Sequence, residues 1–200
     1  METIIKSIKG RAVPKPENGQ NTDDILPAKF LKEITFSNIG NYLYYYERFR
    51  DETPVPDHPF NKQEYKGAKI LIAGANYGCG SSREHAPQAL ARYGIEAIVA
   101  ESFAEIFAGN CASLGVVGVA VSDDDIIRLT QQVRQAPETE FDIDLEKKSI
   151  SFDGETIDFE LPEGRRQAFL KGSWDALAVL QKKDDKIQEV ESRLSYLQFK

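Results

Sequence analysis

Between Gly74 and Pro87 the chain reads Gly-Ala-Asn-Tyr-Gly-Cys-Gly-Ser-Ser-Arg-Glu-His-Ala-Pro, and what flanks this stretch leaves few ways to fold it. Upstream, Ala68-Lys69-Ile70-Leu71-Ile72-Ala73 is short, almost continuously apolar, and reads as a buried strand. Downstream, Gln88-Ala89-Leu90-Ala91-Arg92-Tyr93 reads as a helix stopped by Gly94. Strand, glycine-rich turn and helix together bring backbone N–H groups to one point. Gly74, Gly78 and Gly80 allow a tight turn that a ligand can approach closely. The helix N-terminus adds partial positive charge and unpaired donors. Arg83 adds a planar fork matched to a carboxylate, and Ser81 and Ser82 place two hydroxyls at the mouth. The combination predicts a site for a small carboxylate or phosphate, with a serine in an electropositive setting.

Two other readings of the same residues bear on this. Neither Gly-x-x-x-x-Gly-Lys-Ser/Thr nor Gly-x-Gly-x-x-Gly is present, which disfavours a nucleotide. Ser81-x-x-Glu84 is also a capping-box spacing, under which Ser81 does no more than cap the helix. Pro87 fits only a first helical turn, so it moves the helix start toward Glu84 and leaves the serines in the loop.

The 200 residues suit one compact domain, with 41% hydrophobic content sufficient for a substantial core. A net charge of -7 argues against a general nucleic-acid binder, and no apolar run approaches a membrane span. Met1–Gly10 alternates charged and aliphatic residues without a secretory core, and two cysteines, Cys79 and Cys111, read as reduced thiols; the expected location is cytoplasmic. Two thiols are also too few for an iron–sulfur cluster.

Along the chain, Thr3–Arg11 reads as a first strand, followed by a turn containing Pro14, Pro16, Asn18 and Gly19. Asn21-Thr22-Asp23-Asp24 reads as a turn opening a short helix, capped by Asp or Thr, with Pro27 in its first turn. Tyr42, Tyr44, Tyr45 and Tyr46 fit either core packing or a partner surface, and Asp51–Pro59 is a proline-bearing loop. Further buried strands are expected near Gly94–Ala100 and Gly115–Val121, with Ser102 capping a helix over Phe103–Asn110. Ser122 and Asp125 form a capping box for a helix through about Arg134. Phe141–Leu145 and a hairpin turning at Asp153-Gly154 supply antiparallel strands, and a helical tail begins near residue 162.

The stretch Asn76–Ala86 resembles the signature of the 3-isopropylmalate dehydratase small-subunit family, and its Ser-Ser-Arg-Glu-His core occurs in the mobile fourth domain of aconitases. Asn21–Leu31 and Ser102–Asn110 resemble that family's amino-terminal and mid-chain motifs, in the same order. The resemblance implies an α/β fold, a swivelling β/β/α domain over residues 1–200 with a helical extension from about 162. It implies dehydration and rehydration of a malate-type dicarboxylate, 2-isopropylmalate to 3-isopropylmalate, in leucine biosynthesis. Ser81 would be the catalytic base, Ser82 and Arg83 would hold the substrate carboxylate, and Asp23 would lie in the active site. Arg48 is the candidate for a second carboxylate contact, set against a solvated arginine pairing with Glu47 or Asp51, and residues 38–60 for choice among substrates. No cofactor or metal is expected on this chain; a [4Fe-4S] cluster is expected on a partner large subunit. The stretch Lys171-Gly172-Ser173-Trp174-Asp175 departs from the Asn-Gly-Leu-Asp more usual in the family. Related isomerases acting on homoaconitate, dimethylmalate or methylthioalkylmalate, and a non-catalytic anion-binding module, remain open alternatives.

Overall fold

The computed structural model describes residues 4–32, 35–80, 84–181 and 184–194. Seven strands form one sheet in the order β6-β5-β4-β1-β7-β8-β9. These are β1 (Ser7–Lys15), β4 (Ile70–Ala73), β5 (Ala97–Ala100), β6 (Val117–Ala120), β7 (Glu140–Asp144), β8 (Ser149–Phe152) and β9 (Glu155–Asp158). A separate two-stranded ribbon pairs β2 (Phe49–Arg50) with β3 (Thr53–Pro54). Strands β1, β4, β5 and β6 run parallel, whereas β7, β8 and β9 pair antiparallel beginning at β1. The two edges then meet: Ala120 and Glu160 exchange backbone hydrogen bonds of 2.9 and 2.7 Å, so the sheet curls back on itself. The parallel strands β4 and β5 are buried at every position, as strands covered on both faces must be.

β1 starts and ends later than its sequence pattern suggests and carries Pro14 in its interior. The pairing explains why this is tolerated. β7 follows β1 only over Ser7–Arg11, and β4 takes over from Ala12 to Lys15. Pro14 therefore has a strand partner on the β4 side only, and its missing N–H breaks no ladder there.

The helices are α1 (Thr22–Ile25), α2 (Tyr45–Arg48), α3 (His85–Tyr93), α4 (Glu105–Ser113), α5 (Asp123–Gln135), α6 (Glu163–Lys171), α7 (Ala176–Gln181) and α8 (Asp184–Arg193). Ser122 Oγ caps α5 by accepting from the Asp125 N–H at 3.2 Å, as the spacing predicts. Ser102 does not cap α4; Ala104 stands at that position without a side-chain cap. Nor does Pro27 lie inside α1, which is capped by Asn21 and ends before the proline.

A 3-10 segment, Phe36–Tyr42, packs along α3. Gly40 makes the approach possible: a Cβ there would stand 2.7 Å from backbone atoms of Arg92 and Tyr93. Phe36 at the other end meets His85 edge-on, with ring centroids 5.2 Å apart.

Candidate active site

The three separated sequence motifs converge on the turn after β4. On one side, Ala75 N–H donates to Asn18 Oδ1 at 2.7 Å, Gly19 N–H to the Ala75 carbonyl at 2.8 Å and Gly78 N–H to the Gln20 carbonyl at 2.8 Å. Thr22 N–H donates to the Cys79 carbonyl at 2.9 Å, and Asn21 and Cys79 form a parallel bridge. On the other side, Asn76 N–H donates to Ser102 Oγ at 2.8 Å, the role Ser102 takes in place of capping. Tyr77 N–H donates to the Ser102 carbonyl and Ala104 N–H to the Tyr77 carbonyl, at 2.9 and 3.0 Å. A glycine-rich turn with few side chains is thus fixed almost entirely through its backbone.

Gly78 is required sterically as well as conformationally. Its φ is +75°, and a Cβ would stand 2.1 Å from the Phe107 ring. Tyr77 is fully buried between Phe103 and Phe107, and its hydroxyl pairs with that of Tyr44 at 2.6 Å. Burial drives both phenols well above their ordinary range, so they remain neutral. Sequence reasoning missed this pair, since nothing in the spacing of Tyr44 and Tyr77 links them.

Ser81, Ser82 and Arg83 lie outside the described residues. Their surroundings are clear on both flanks. α3 begins at His85, and the Glu84 carboxylate accepts from Gln88 Nε2 at 3.1 Å, four residues into the helix. In a capping box headed by Ser81, Glu84 would be the third helical residue and would reach back to the Ser81 N–H. It stands at the helix boundary instead, which leaves Ser81 upstream of α3.

Gly80 abuts α1: the nearest atoms to a Cβ there belong to Asn21 and Thr22, 3.5 and 3.6 Å away. Asn21 Oδ1 accepts from the N–H groups of Asp23 and Asp24 at 2.8 and 3.0 Å. Asp24 Oδ2 in turn accepts from the Asn21 N–H at 2.9 Å, completing a capping box. The two aspartates therefore differ: Asp24 fastens the helix, and Asp23 presents an exposed carboxylate beside the turn.

Arg48 is brought to a different place. Its Nε donates to Asn61 Oδ1 at 3.0 Å and its Nη1 to the Leu43 carbonyl at 3.1 Å, with its guanidinium 5.4 Å from the Tyr93 ring centroid. It pairs with neither Glu47 nor Asp51. Tyr93 is the last residue of α3, whereas residues 81–83 precede its first, and a helix of this length separates its ends by about 12 Å. The Glu47 carboxylate, itself partly exposed, lies 2.7 Å from the buried Lys15 ammonium and 3.7 Å from His58 Nε2. His58 and Lys15 hold the Glu47 carboxyl at about 2 against the opposing effect of partial burial. The 3.7 Å separation exceeds hydrogen-bond length, so the shorter Lys15 contact fixes the geometry.

Among the described residues no group of three or more His, Cys, Asp or Glu could hold a metal ion, and no helix is long and apolar enough to cross a membrane. Cys111 is buried, and burial pushes its thiol up, away from thiolate chemistry.

The aconitase C-terminal domain family model matches residues 2–124. The chain is 41% identical over 189 residues to the 3-isopropylmalate dehydratase small subunit of a Thermus thermophilus strain, covering 94% of each chain. It is 37% identical over 193 residues to that of a Synechocystis species, covering 96% of this chain and 95% of the relative. A crystal structure of 3-isopropylmalate dehydratase (leuD) from Methanocaldococcus jannaschii has a TM-score of 0.68 and 28% identity, covering 92% of this chain and 99% of that one. With this fold, this convergence of motifs and these relatives, the chain belongs to the 3-isopropylmalate dehydratase small-subunit family, built on the aconitase C-terminal domain.

Proposed function

We propose that this chain is one half of a hydro-lyase active site that isomerises 2-isopropylmalate to 3-isopropylmalate in leucine biosynthesis, the other half being a large subunit. The observation that supports it is the meeting of α1, the glycine-rich turn and Ser102 around the approach to residues 81–83. Dehydration removes the proton alpha to a carboxylate and expels hydroxide from the neighbouring carbon; rehydration adds water back with the positions exchanged. Ser81, four residues ahead of the first residue of α3 and two residues from Arg83 in sequence, is the proton-abstracting group. Oriented N–H donors and positive charge stabilise its deprotonated form. Arg83 and Ser82 grip the substrate carboxylate, Arg83 through two parallel N–H bonds. Asp23, an anion, cannot grip an anionic substrate and instead orients a donor. Arg48 lies beside Tyr93, at the opposite end of α3 from His85.

A [4Fe-4S] cluster on the large subunit supplies the Lewis acid that helps hydroxide leave. The donor set here agrees with that division, since one of two cysteines is sealed in the core. The test is reconstitution. The isolated chain is expected to hold no stoichiometric iron and to turn over no 2-isopropylmalate, with activity appearing on addition of the cluster-bearing large subunit. Tightly bound iron on the isolated chain, or turnover without a partner, overturns the proposal.

A further inference from the structure

A pocket of about 310 Å³ opens on the face of the chain where Arg48, Phe60, Lys62, Lys66 and Tyr93 meet. Its charge is opposite to that of the molecule. The chain carries 32 acidic against 25 basic residues, yet three cations and no carboxylate line this pocket, with Glu64 just outside the lining, 3.8 Å from the Lys62 ammonium. Arg48 is the group that needs an explanation. It is half-buried and forms no ion pair among the described residues, and burial pulls its guanidinium below the ordinary arginine range. A partly desolvated cation without a counter-charge is costly unless something anionic meets it.

The guanidinium is also held in place. Asn61 accepts from Arg48 Nε through Oδ1, while its Nδ2 donates to the carbonyls of Arg48 and Val55 at 2.7 and 2.9 Å. Nη1 is occupied by the Leu43 carbonyl, and Nη2 has no acceptor among the described residues. The Phe49 and Tyr93 rings lie 5.1 and 5.4 Å from the guanidinium carbon, and Tyr93 is itself anchored by donating from its hydroxyl to the Phe60 carbonyl at 3.1 Å. A fixed cation beside aromatic walls, with lysines at the rim, matches a molecule that is anionic at one end and apolar at the other.

We propose that this pocket is a second binding site, separate from the glycine-rich turn, for a small organic carboxylate with an apolar end. The carboxylate meets the open edge of Arg48, and the apolar end lies against Phe60 and Tyr93. The volume is at the small end of ligand pockets, which suits a small organic acid. This site does not depend on the isomerase reading.

The test is titration of the full-length chain with 4-methylpentanoate and with benzoate, followed by NMR of the Asn61 side-chain amide and the Arg48 Nε–H, with 4-methylpentanol as the neutral control. Saturable shifts for both acids, and at least ten-fold weaker binding of the alcohol, are expected. Arg48→Gln should weaken acid binding at least ten-fold, whereas Arg83→Gln should leave it within two-fold. Lys62→Glu with Lys66→Glu changes only rim residues and should also weaken binding about ten-fold, which serves if Arg48→Gln does not fold. Absence of saturable shifts, equal binding of the alcohol, or loss on Arg83→Gln with retention on Arg48→Gln overturns the proposal. The last result would assign the carboxylate to the glycine-rich turn.

Discussion

Ser81 and Glu84 have the spacing of a capping box, yet the Glu84 carboxylate bonds forward to Gln88 and α3 starts only at His85. The two roles of Ser81 then predict different measurements. As the base, Ser81→Ala lowers kcat by about 10²–10⁴, the usual cost of losing one acid–base group, with substrate affinity nearly unchanged. As a cap, the same change costs about 1 kcal/mol of stability, largely restored by Asp, and leaves turnover intact. We expect the first result; near-normal turnover in the reconstituted complex would remove Ser81 from the chemistry. Gly78 gives a second residue-scale prediction. Gly78→Ala places a Cβ inside the Phe107 ring and strains a left-handed backbone, for a combined cost of about 2–5 kcal/mol. Adding Phe107→Ala removes the overlap, so urea denaturation should show the double variant less destabilised than the sum of the singles. Additive losses would mean that the ring does not constrain the turn.

At the scale of elements, α2 contributes an acid-sensitive contact between strand and loop. Glu47 lies against Lys15 at the end of β1 and against His58 in the loop that follows β3. Its carboxyl is held at about 2, below its ordinary 4.5. A depressed carboxyl stabilises the fold fully above the unfolded value and loses that contribution as pH falls through the folded one. Glu47→Gln should therefore destabilise the chain at neutral pH, and its deficit against the parent should shrink between pH 4.5 and 2. A deficit that stays constant across that window would show the contact to be electrostatically idle. The elements that could be read from the sequence are those with a local cause. Apolar β4, β5 and β6, the Ser122 cap and the Asp153-Gly154 hairpin all follow from neighbouring residues. The misread elements depend on distant chain. Pro14 stays in β1 because β7 has already ended, and Ser102 leaves α4 uncapped because Asn76 donates to its hydroxyl. The glycine-rich turn was legible as a site, but the backbone bonds that fix it from Asn18 and Gln20 carry no local signature.

At the scale of the whole molecule, the parts divide into a frame and a surface offered to other molecules. α8 is exposed where its side chains are described, while Phe169 of α6 is buried and Trp174 stands over Gly115. Truncation after Gln181 should leave the thermal midpoint within about 2 °C of the parent, a shift corresponding to at most about 1 kcal/mol. A larger fall would make α8 part of the frame. The segment from Asn41 to Pro59 invites the opposite expectation. Its tyrosines read from sequence as core or surface, and the segment as a place for substrate choice. Tyr44 is in fact sealed against Tyr77, Tyr42 stacks on Phe30 at 4.0 Å, and Lys29 lies over Tyr45 and Tyr46. Tyr44 thereby braces the glycine-rich turn, while Tyr42 and Tyr45 pack on Phe30 and Tyr46 is exposed. Phe36 is different: it meets His85, two residues past Arg83, from outside the helix. Exchanging residues 41–59 with those of a homoaconitate-type relative should therefore depress turnover of every 2-alkylmalate in parallel. Phe36→Ala should change the ratio of kcat/KM between long and short alkyl substrates, since a missing apolar contact is worth about 1–3 kcal/mol in discrimination. If the segment exchange shifts that ratio and Phe36→Ala does not, substrate choice resides in the aromatic segment and the packing assignment fails.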